Sequence, residues 1–240
     1  MKLTKQKLYK LILEALEDDP SPEYADLYDP SQPIALYHDD GDTEHEFYLY
    51  HPTGNPQHPV YVISYLSMGL LGTDDLKCIP FTFQVMGTYT ESNAQQKGFS
   101  KTLYNIAFYI ASKYKNKEGE PYGLTSDQYS GTTDIADVSA WSKYEQSSNY
   151  YKRTTIKGSD EFDYTGYRTP DDKDDDCETY TDKVATSHSF QKDSHGDASQ
   201  LYLRLSGIHN KLNRGRDLKK LITKVGSNRF NFYYGREISK

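Results

Sequence analysis

The chain has few cysteines. Its 240 residues include two, Cys78 and Cys177, which lie far apart and match no spacing typical of a zinc site or of a redox pair. Disulfides accumulate in proteins of oxidising compartments, where cysteine-rich frameworks are common. We therefore expect two inert thiols in a reducing compartment and no disulfide framework.

Long apolar runs are also missing. No segment approaches the roughly 18 apolar residues that a membrane-spanning helix needs, and the first residues lack the apolar segment of a secretory signal. Hydrophobic residues make up 35% of the chain, and this share includes 23 tyrosines. The sequence therefore predicts no membrane association and a small, aromatic-rich core whose tyrosine hydroxyls find partners at its edge.

The excess of basic residues that is typical of general nucleic-acid binders is absent, because the formal net charge is −7. The charge is nevertheless uneven along the chain. The acidic stretch in 158–183 lacks the residue order of a calcium-binding loop and is read as a solvated loop. Residues 204–240 carry ten Lys and Arg against two acids. Nucleic acid and the acidic remainder of this chain are both candidate partners for that basic stretch, and we favour the latter.

The hydrophobic pattern divides the chain into four parts. Residues 1–19 have the periodicity of an amphipathic helix, 20–157 form the main domain, 158–198 form an acidic loop region, and 199–240 form a basic helical extension. The main domain begins with four segments rich in aromatic and β-branched residues, separated by turn residues. They predict an antiparallel meander of four strands: Pro33–His38, Glu44–Tyr50, Val60–Met68 and Ile79–Thr90.

After the meander the pattern changes to helix, strand and helix. Residues 98–115 carry one continuous apolar stripe, a short strand follows at Tyr122–Ser126, and a second helix is expected at Thr133–Glu145. Parallel strands need a crossover connection such as a helix, and such crossovers are right-handed. The predicted fold class is α/β, more strictly α+β, with a mixed and mostly antiparallel sheet flanked by helices.

The turn between the last meander strand and the long helix is the segment best suited to binding a ligand. It reads Gln95-Gln96-Lys97-Gly98-Phe99-Ser100-Lys101. The first turn of a helix offers unpaired backbone N–H groups and the positive end of the helix dipole, and Gly98 permits close approach. These features are typical of a pyrophosphate cradle. The alternative is an ordinary strand–turn–helix junction in which the glycine only relieves a tight turn.

Gln95-x-x-Gly98-x-Ser100, preceded by a meander and followed by α, β and α elements, resembles the Gln/Arg-x-x-Gly-x-Gly/Ala signature of the GNAT superfamily of acyl-CoA-dependent N-acyltransferases. A second stretch, Gly123–Gln128 followed by Ala136 and Ala140-Trp141, is similar to the fifth strand and fourth helix of GNAT-like proteins encoded by tailed bacteriophages. The resemblance covers roughly residues 33–156. It implies a sheet splayed between its fourth and fifth strands, with the pantetheine arm of coenzyme A in the splay.

The resemblance also implies a reaction, the transfer of an acetyl group from acetyl-CoA to an unidentified amine. Glu91 is the carboxylate nearest to the end of the fourth strand and is the candidate general base. Tyr144 or Tyr150, with Tyr151 as a further alternative, would protonate the departing thiolate. The residues implied in cofactor binding are Gln95, Gln96, Lys97, Gly98, Phe99, Ser100 and Lys101.

Two departures from the family pattern support a second interpretation. Ser100 stands where the family prefers Gly or Ala, and no histidine or carboxylate is placed unmistakably as a base. The alternative is a non-catalytic virion or assembly protein on a degenerate GNAT fold.

A signal at the N-terminus agrees with this phage context. Ile12-Leu13-Glu14 before Ala15 is similar to the cleavable targeting leaders of phage capsid proteins. This likeness implies phage head or scaffold proteins as partners, and a location in the host cytoplasm or in the virion. A helix that simply packs on the main domain is the alternative.

The remaining candidates for chemistry are the histidines of the meander. Their spacing is irregular, with no pair at i, i+2 on one strand or at i, i+4 on one helix beside a third ligand: His38, His45, His51 and His58. No metal site is therefore predicted. No nucleophilic triad is predicted either, because Gly-x-Ser-x-Gly does not occur.

Overall fold

A computed structural model describes residues 27–56, 58–70, 81–125, 141, 143–144, 146–153, 189–213, 218–223 and 225. Within these residues the strands are β1 (Ala35–Asp40), β2 (Glu44–Pro52), β3 (Val60–Leu70), β4 (Thr82–Thr90), β5 (Gly123–Thr125), β6 (Tyr150–Arg153) and β7 (Ser189–Lys192). The helices are α1 (Phe99–Ala111) and α2 (Gly196–Leu212). The predicted helix at 1–19 and the acidic stretch up to 188 lie outside the described residues.

β1 to β4 form the antiparallel meander that the sequence predicts. The first hairpin is longer than the pattern suggested, because two acidic residues assigned to its turn belong to β1. Asp39 pairs with Glu46, and Asp40 pairs with His45. The turn closes at Gly41, whose N–H donates to the carbonyl of Glu44 at 2.9 Å. Backbone ladder bonds, rather than apolar alternation, set this strand end.

The sheet continues through α1 into β5, which pairs with β4 in parallel. The full strand order is β1-β2-β3-β4-β5-β7-β6, and every other pairing is antiparallel. The predicted mixed, mostly antiparallel α+β class is therefore confirmed. Of the second predicted helix, residues 141, 143 and 144 are described and are helical, and so is Gln146 just beyond its predicted end.

The sequence did not predict β6 or β7, and it placed the C-terminal helix as an extension. β7 lies within the stretch read as an acidic loop, between β5 and β6 in the sheet. α2 begins at Gly196 and packs against β1, which is one of the two edge strands in the strand order given above. Within the described part of the chain, no helix is long and apolar enough to cross a membrane.

The two faces of the sheet are covered differently. α1 buries its stripe on one face, where Leu103, Ile106 and Ile110 join the side chains of Phe47 and Ile63. The opposite face carries four tyrosines packed near residues 218–222: Tyr37, Tyr48, Tyr50 and Tyr65. Two of their hydroxyls donate to the carboxylate of one glutamate, as expected for an aromatic-rich core with paired hydroxyls.

Candidate functional site

The junction between β4 and α1 is built by a short 3-10 turn and a left-handed glycine. The turn spans Ser92–Ala94, and Gly98 caps α1 with a φ of 83°. A side chain at Gly98 would meet no atom within 4 Å, so its Cα faces open space. Gln96 also has a positive φ, of 60°. Two left-handed residues in three positions turn the chain sharply into the helix.

The first turn of α1 begins with a residue that has no side chain to cap it. Gly98 is the N-cap, and no acidic residue lies in the first turn. The carbonyl of Gly98 accepts the first helical bond, from the N–H of Thr102 at 3.0 Å. The N–H groups of the following residues have no intrahelical acceptor, and the helix dipole makes this end positive. Gln95, Gln96, Lys97 and Lys101 are exposed, and Phe99 and Ser100 are half-buried.

Three hydroxyls fix this turn to the sheet. The Oγ of Ser100 lies 2.7 Å from the Oγ1 of Thr90, which lies 2.8 Å from the Oγ of Ser64. Ser64 also donates to the carbonyl of Tyr89 at 2.8 Å. The hydroxyl of Ser100 is thus turned towards the end of β4.

Two side chains before Gly98, those of Gln95 and Lys97, contact different parts of the fold. The Nε2 of Gln95 lies 3.4 Å from the carbonyl of Thr90. The ammonium group of Lys97 lies 4.2 Å above the ring of Tyr28, which packs against His51 and Tyr61. This cation–π contact positions one positive charge beside the junction.

β4 has two neighbouring strands at its start and one along the rest of its length. β3 pairs with it from Phe83 to Thr90. On the other side, the described part of β5 pairs in parallel with Thr82–Gln84. In the described residues, the second half of β4 therefore has a strand on one side, and this half runs directly to the junction.

The candidate base follows β4 directly and is buried. Glu91 is 1% exposed, its N–H donates to the carbonyl of Ile63 at 3.0 Å, and its own carbonyl accepts from Ala94. Its backbone is therefore held against β3, and its side chain belongs to the interior.

The candidate acids lie elsewhere in the fold. Tyr144 packs among aromatic rings, with centroids 5.3 Å from Phe108 and 5.5 Å from Trp141. Its half-buried position is that of an aromatic edge residue. Tyr150 begins β6 and pairs with Lys192, and Tyr151 pairs with Gln191. The contacts of Tyr144 are with the middle of α1, whereas Glu91 is bonded to β3.

A second cluster gathers at the far end of α1, and the sequence pattern did not predict it. His38, Asp40 and His45 bring one donor atom each to within 4.8 Å of one another. Burial lowers the pKa of His38 to about 4 and also lowers the pKa of His45. The cluster depends on a cross-strand pair, because Asp40 lies opposite His45 in the β1–β2 hairpin. The sequence reveals this pair only when the register of the hairpin is known.

Comparison with protein-family models, with curated proteins and with solved structures gives no significant match to this chain. The geometry of the junction and of the cluster is therefore the basis for a functional assignment.

Proposed function

We propose that this protein is a phage-encoded, GNAT-like N-acetyltransferase that transfers the acetyl group of acetyl-CoA to an amine. The observation that carries the proposal is the first turn of α1, which follows the left-handed Gly98 and has neither an N-cap side chain nor an acidic residue. Pyrophosphate groups bind such helix ends, because backbone N–H groups and the dipole both favour an anion. Exposed Lys97 and Lys101 add positive charge beside it.

The pairing of β4 supports the location of the pantetheine arm. Among the described residues, its second half, Val85–Thr90, has β3 on one side, and β5 pairs with Thr82–Gln84 only. A chain of amides can add to such a strand edge in the way that an extended peptide adds to a sheet. The arm would therefore run along Val85–Thr90, with the pyrophosphate at the first turn of α1.

Transfer needs a neutral amine and a protonated leaving group. The amine nitrogen would attack the thioester carbonyl while Glu91 accepts its proton, and the carbon–sulfur bond would then break. The departing thiolate would take a proton from Tyr144 or Tyr150. Glu91 adjoins the proposed path of the arm, because it is the residue that follows Thr90.

The burial of Glu91 and the aromatic packing of Tyr144 favour a second function, that of a non-catalytic phage virion or assembly protein. Glu91 is 1% exposed, and Tyr144 packs among aromatic rings. In this alternative the fold is retained without turnover, and the leader at residues 1–14 would direct the protein to the phage head. The two functions place the protein in the host cytoplasm or in the virion, respectively.

Calorimetric titration of the full chain with acetyl-CoA tests the site. We expect one binding site, weakened roughly 10-fold by Lys97→Glu and by Lys101→Glu, because each reverses a charge near the bound anion. Lys117→Glu is the matched control, since Lys117 is also exposed but lies beyond the other end of α1. Absence of binding to the unmodified chain would refute the transferase.

Turnover is tested separately from binding. Glu91→Gln should leave acetyl-CoA affinity unchanged and lower kcat by about 100-fold or more with a panel of amines, and Glu118→Gln serves as the exposed control. Binding without turnover in any assay, together with a packaged protein that mass spectrometry finds to begin at Ala15, would favour the virion function.

A further inference from the structure

Three side chains project from one face of the first hairpin. His38 and Asp40 are two residues apart on β1, and therefore share a face. His45 of β2 is directly opposite Asp40, and Phe47 is opposite His38. The ring of His38 stacks on that of Phe47, with centroids 4.4 Å apart. The hairpin register thus brings two imidazoles and one carboxylate to the same place.

The donor atoms of these side chains are spaced like the ligands of one metal ion. The Nε2 of His38 lies 3.1 Å from the Nδ1 of His45, and the Oδ1 of Asp40 lies 3.0 Å from the latter and 3.9 Å from the former. Zinc binds nitrogen and oxygen ligands at about 2.0–2.2 Å in tetrahedral geometry, which separates the ligand atoms by about 3.3–3.6 Å. The three observed distances bracket that value.

The outer nitrogen of each imidazole already has a partner. The Nδ1 of His38 lies 3.1 Å from the hydroxyl of Tyr202, and the Nε2 of His45 lies 3.1 Å from the hydroxyl of Tyr114. When each outer nitrogen donates to its tyrosine, the inner nitrogens carry lone pairs aimed at the same region. Histidine ligands of metals are held in this way by a hydrogen bond to the second ring nitrogen.

Both imidazoles are buried, and one side of the cluster is open to water. His38 has a side-chain exposure of 6% and His45 of 0%. Asp40 has a side-chain exposure of 68%, so water reaches the cluster from its side. Two lysines of the described residues lie nearby, and each contacts a group outside the cluster. The ammonium group of Lys113 lies over the rings of Tyr109 and Tyr202, and Lys219 forms an ion pair with Asp39.

We propose that His38, Asp40 and His45 bind one divalent transition-metal ion, with Zn²⁺ as the best fit. Two imidazoles and a carboxylate suit zinc, and water from the exposed side would complete the coordination. Mg²⁺ and Ca²⁺ prefer oxygen ligands and are disfavoured by the two nitrogens. The ion would join the β1–β2 hairpin, through the tyrosine bonds, to the residues after α1 and to α2.

This site is separate from the proposed acetyl-CoA site. Tyr114 lies three residues beyond the end of α1, whereas Gly98 precedes its start. A helix of 13 residues is about 20 Å long, so the two sites lie at opposite ends of it. Metal binding is therefore measured without reference to acetyl transfer, and either proposal can fail alone.

The test is titration of the metal-free full chain, with any purification tag removed, with Zn²⁺ by calorimetry and with Co²⁺ by visible absorption. We expect one ion per chain and Co²⁺ bands typical of nitrogen and oxygen ligands in a low-coordinate site. His38→Gln and His45→Gln should each weaken binding by more than about 100-fold, since even loss of a partner of a ligand costs 10–100-fold. Millimolar Mg²⁺ should not compete.

Two sets of variants separate a metal site from a purely structural hydrogen-bond chain. Asp40→Asn, at an exposed position that tolerates substitution, should weaken Zn²⁺ binding, whereas Asp42→Asn on the same hairpin and His58→Gln should not. Tyr114→Phe should weaken it by about 10-fold or more. If the unmodified chain binds Zn²⁺ no more tightly than His38→Gln, or if Asp40→Asn binds as tightly as the unmodified chain, the proposal is wrong.

Discussion

The two ends of α1 are built in different ways. At the Phe99 end the candidate binding groups come from one continuous segment, Gln95–Lys101, and are mostly exposed. At the Ala111 end the cluster draws on β1, β2, the residues after α1, and α2, and both of its histidines are largely buried. The first site can be recognised along the chain, whereas the second exists only when four segments have come together.

The electrostatics of the two ends differ as well. The Phe99 end offers partial positive charge from backbone amides and exposed lysines, which suits an anion. The Ala111 end offers two buried imidazoles and one exposed carboxylate, which suit a cation. A single helix therefore connects two candidate sites of opposite preference.

The largest expected effect comes from weakening the helix that both ends share. Ile106 is fully buried in the α1–sheet interface. Ile106→Ala should lower the free energy of unfolding by about 2–5 kcal/mol, because it leaves a cavity, as measured by urea denaturation. Lys101→Ala, exposed on the same helix, should change it by less than about 0.5 kcal/mol. Equal effects would show that α1 does not anchor the fold.

The next largest effect, stabilisation by Zn²⁺, tests whether the two ends of α1 bind their ligands independently. Zn²⁺ at 100 times its dissociation constant should raise the free energy of unfolding by about 2.7 kcal/mol, and a chelator should reverse the change. His45→Gln should abolish this response while leaving acetyl-CoA affinity unchanged. A thermal scan with each ligand measures both. Loss of both responses in this variant would contradict the independence of the sites.

A smaller effect is expected at the junction itself. Gly98 has a φ of 83°, and a Cβ added there would meet no atom within 4 Å, so a substitution is strained without a clash. Gly98→Ala should cost about 1–2 kcal/mol in the free energy of unfolding, and Gly98→Asn less, because asparagine tolerates the left-handed region. Denaturant midpoints of the two variants give the comparison. An equal cost for both variants would show that the backbone at residue 98 does not keep the left-handed conformation after substitution, and it would contradict this prediction.

The smallest expected effect on the free energy of unfolding comes from His209 of α2, and it develops as the pH is lowered below neutral. Burial lowers the pKa of His209, which lies 2.8 Å from the hydroxyl of Tyr50. Below pH 6.5, the ordinary pKa of histidine, His209 takes up a proton more readily in the unfolded chain than in the folded one. The free energy of unfolding therefore keeps the contribution of this residue above that pH and loses it as the pH decreases. Denaturation measured between about pH 7 and pH 5 should show this loss. His209→Gln should reduce the slope, and His58→Gln should not.

The sequence predicted the meander and α1 because their signals are local. Alternating side chains and turn residues mark the strands, and a stripe at helical spacing marks α1. β6 and β7 are four residues each, and they are strands because they pair with one another and, in the case of β7, with β5. A pairing between residues so far apart leaves no periodic trace in either segment.

The sites follow the same division. The sequence by itself located the start of α1 in the Gln95–Lys101 segment, because a glycine followed by an apolar stripe at helical spacing predicts a helix start. Only the tertiary structure decided where the side chain of Ser100 is bonded, that Glu91 is buried, and that two histidines with irregular spacing meet an aspartate. Register and packing fix those positions, since they depend on contacts between segments distant in the chain.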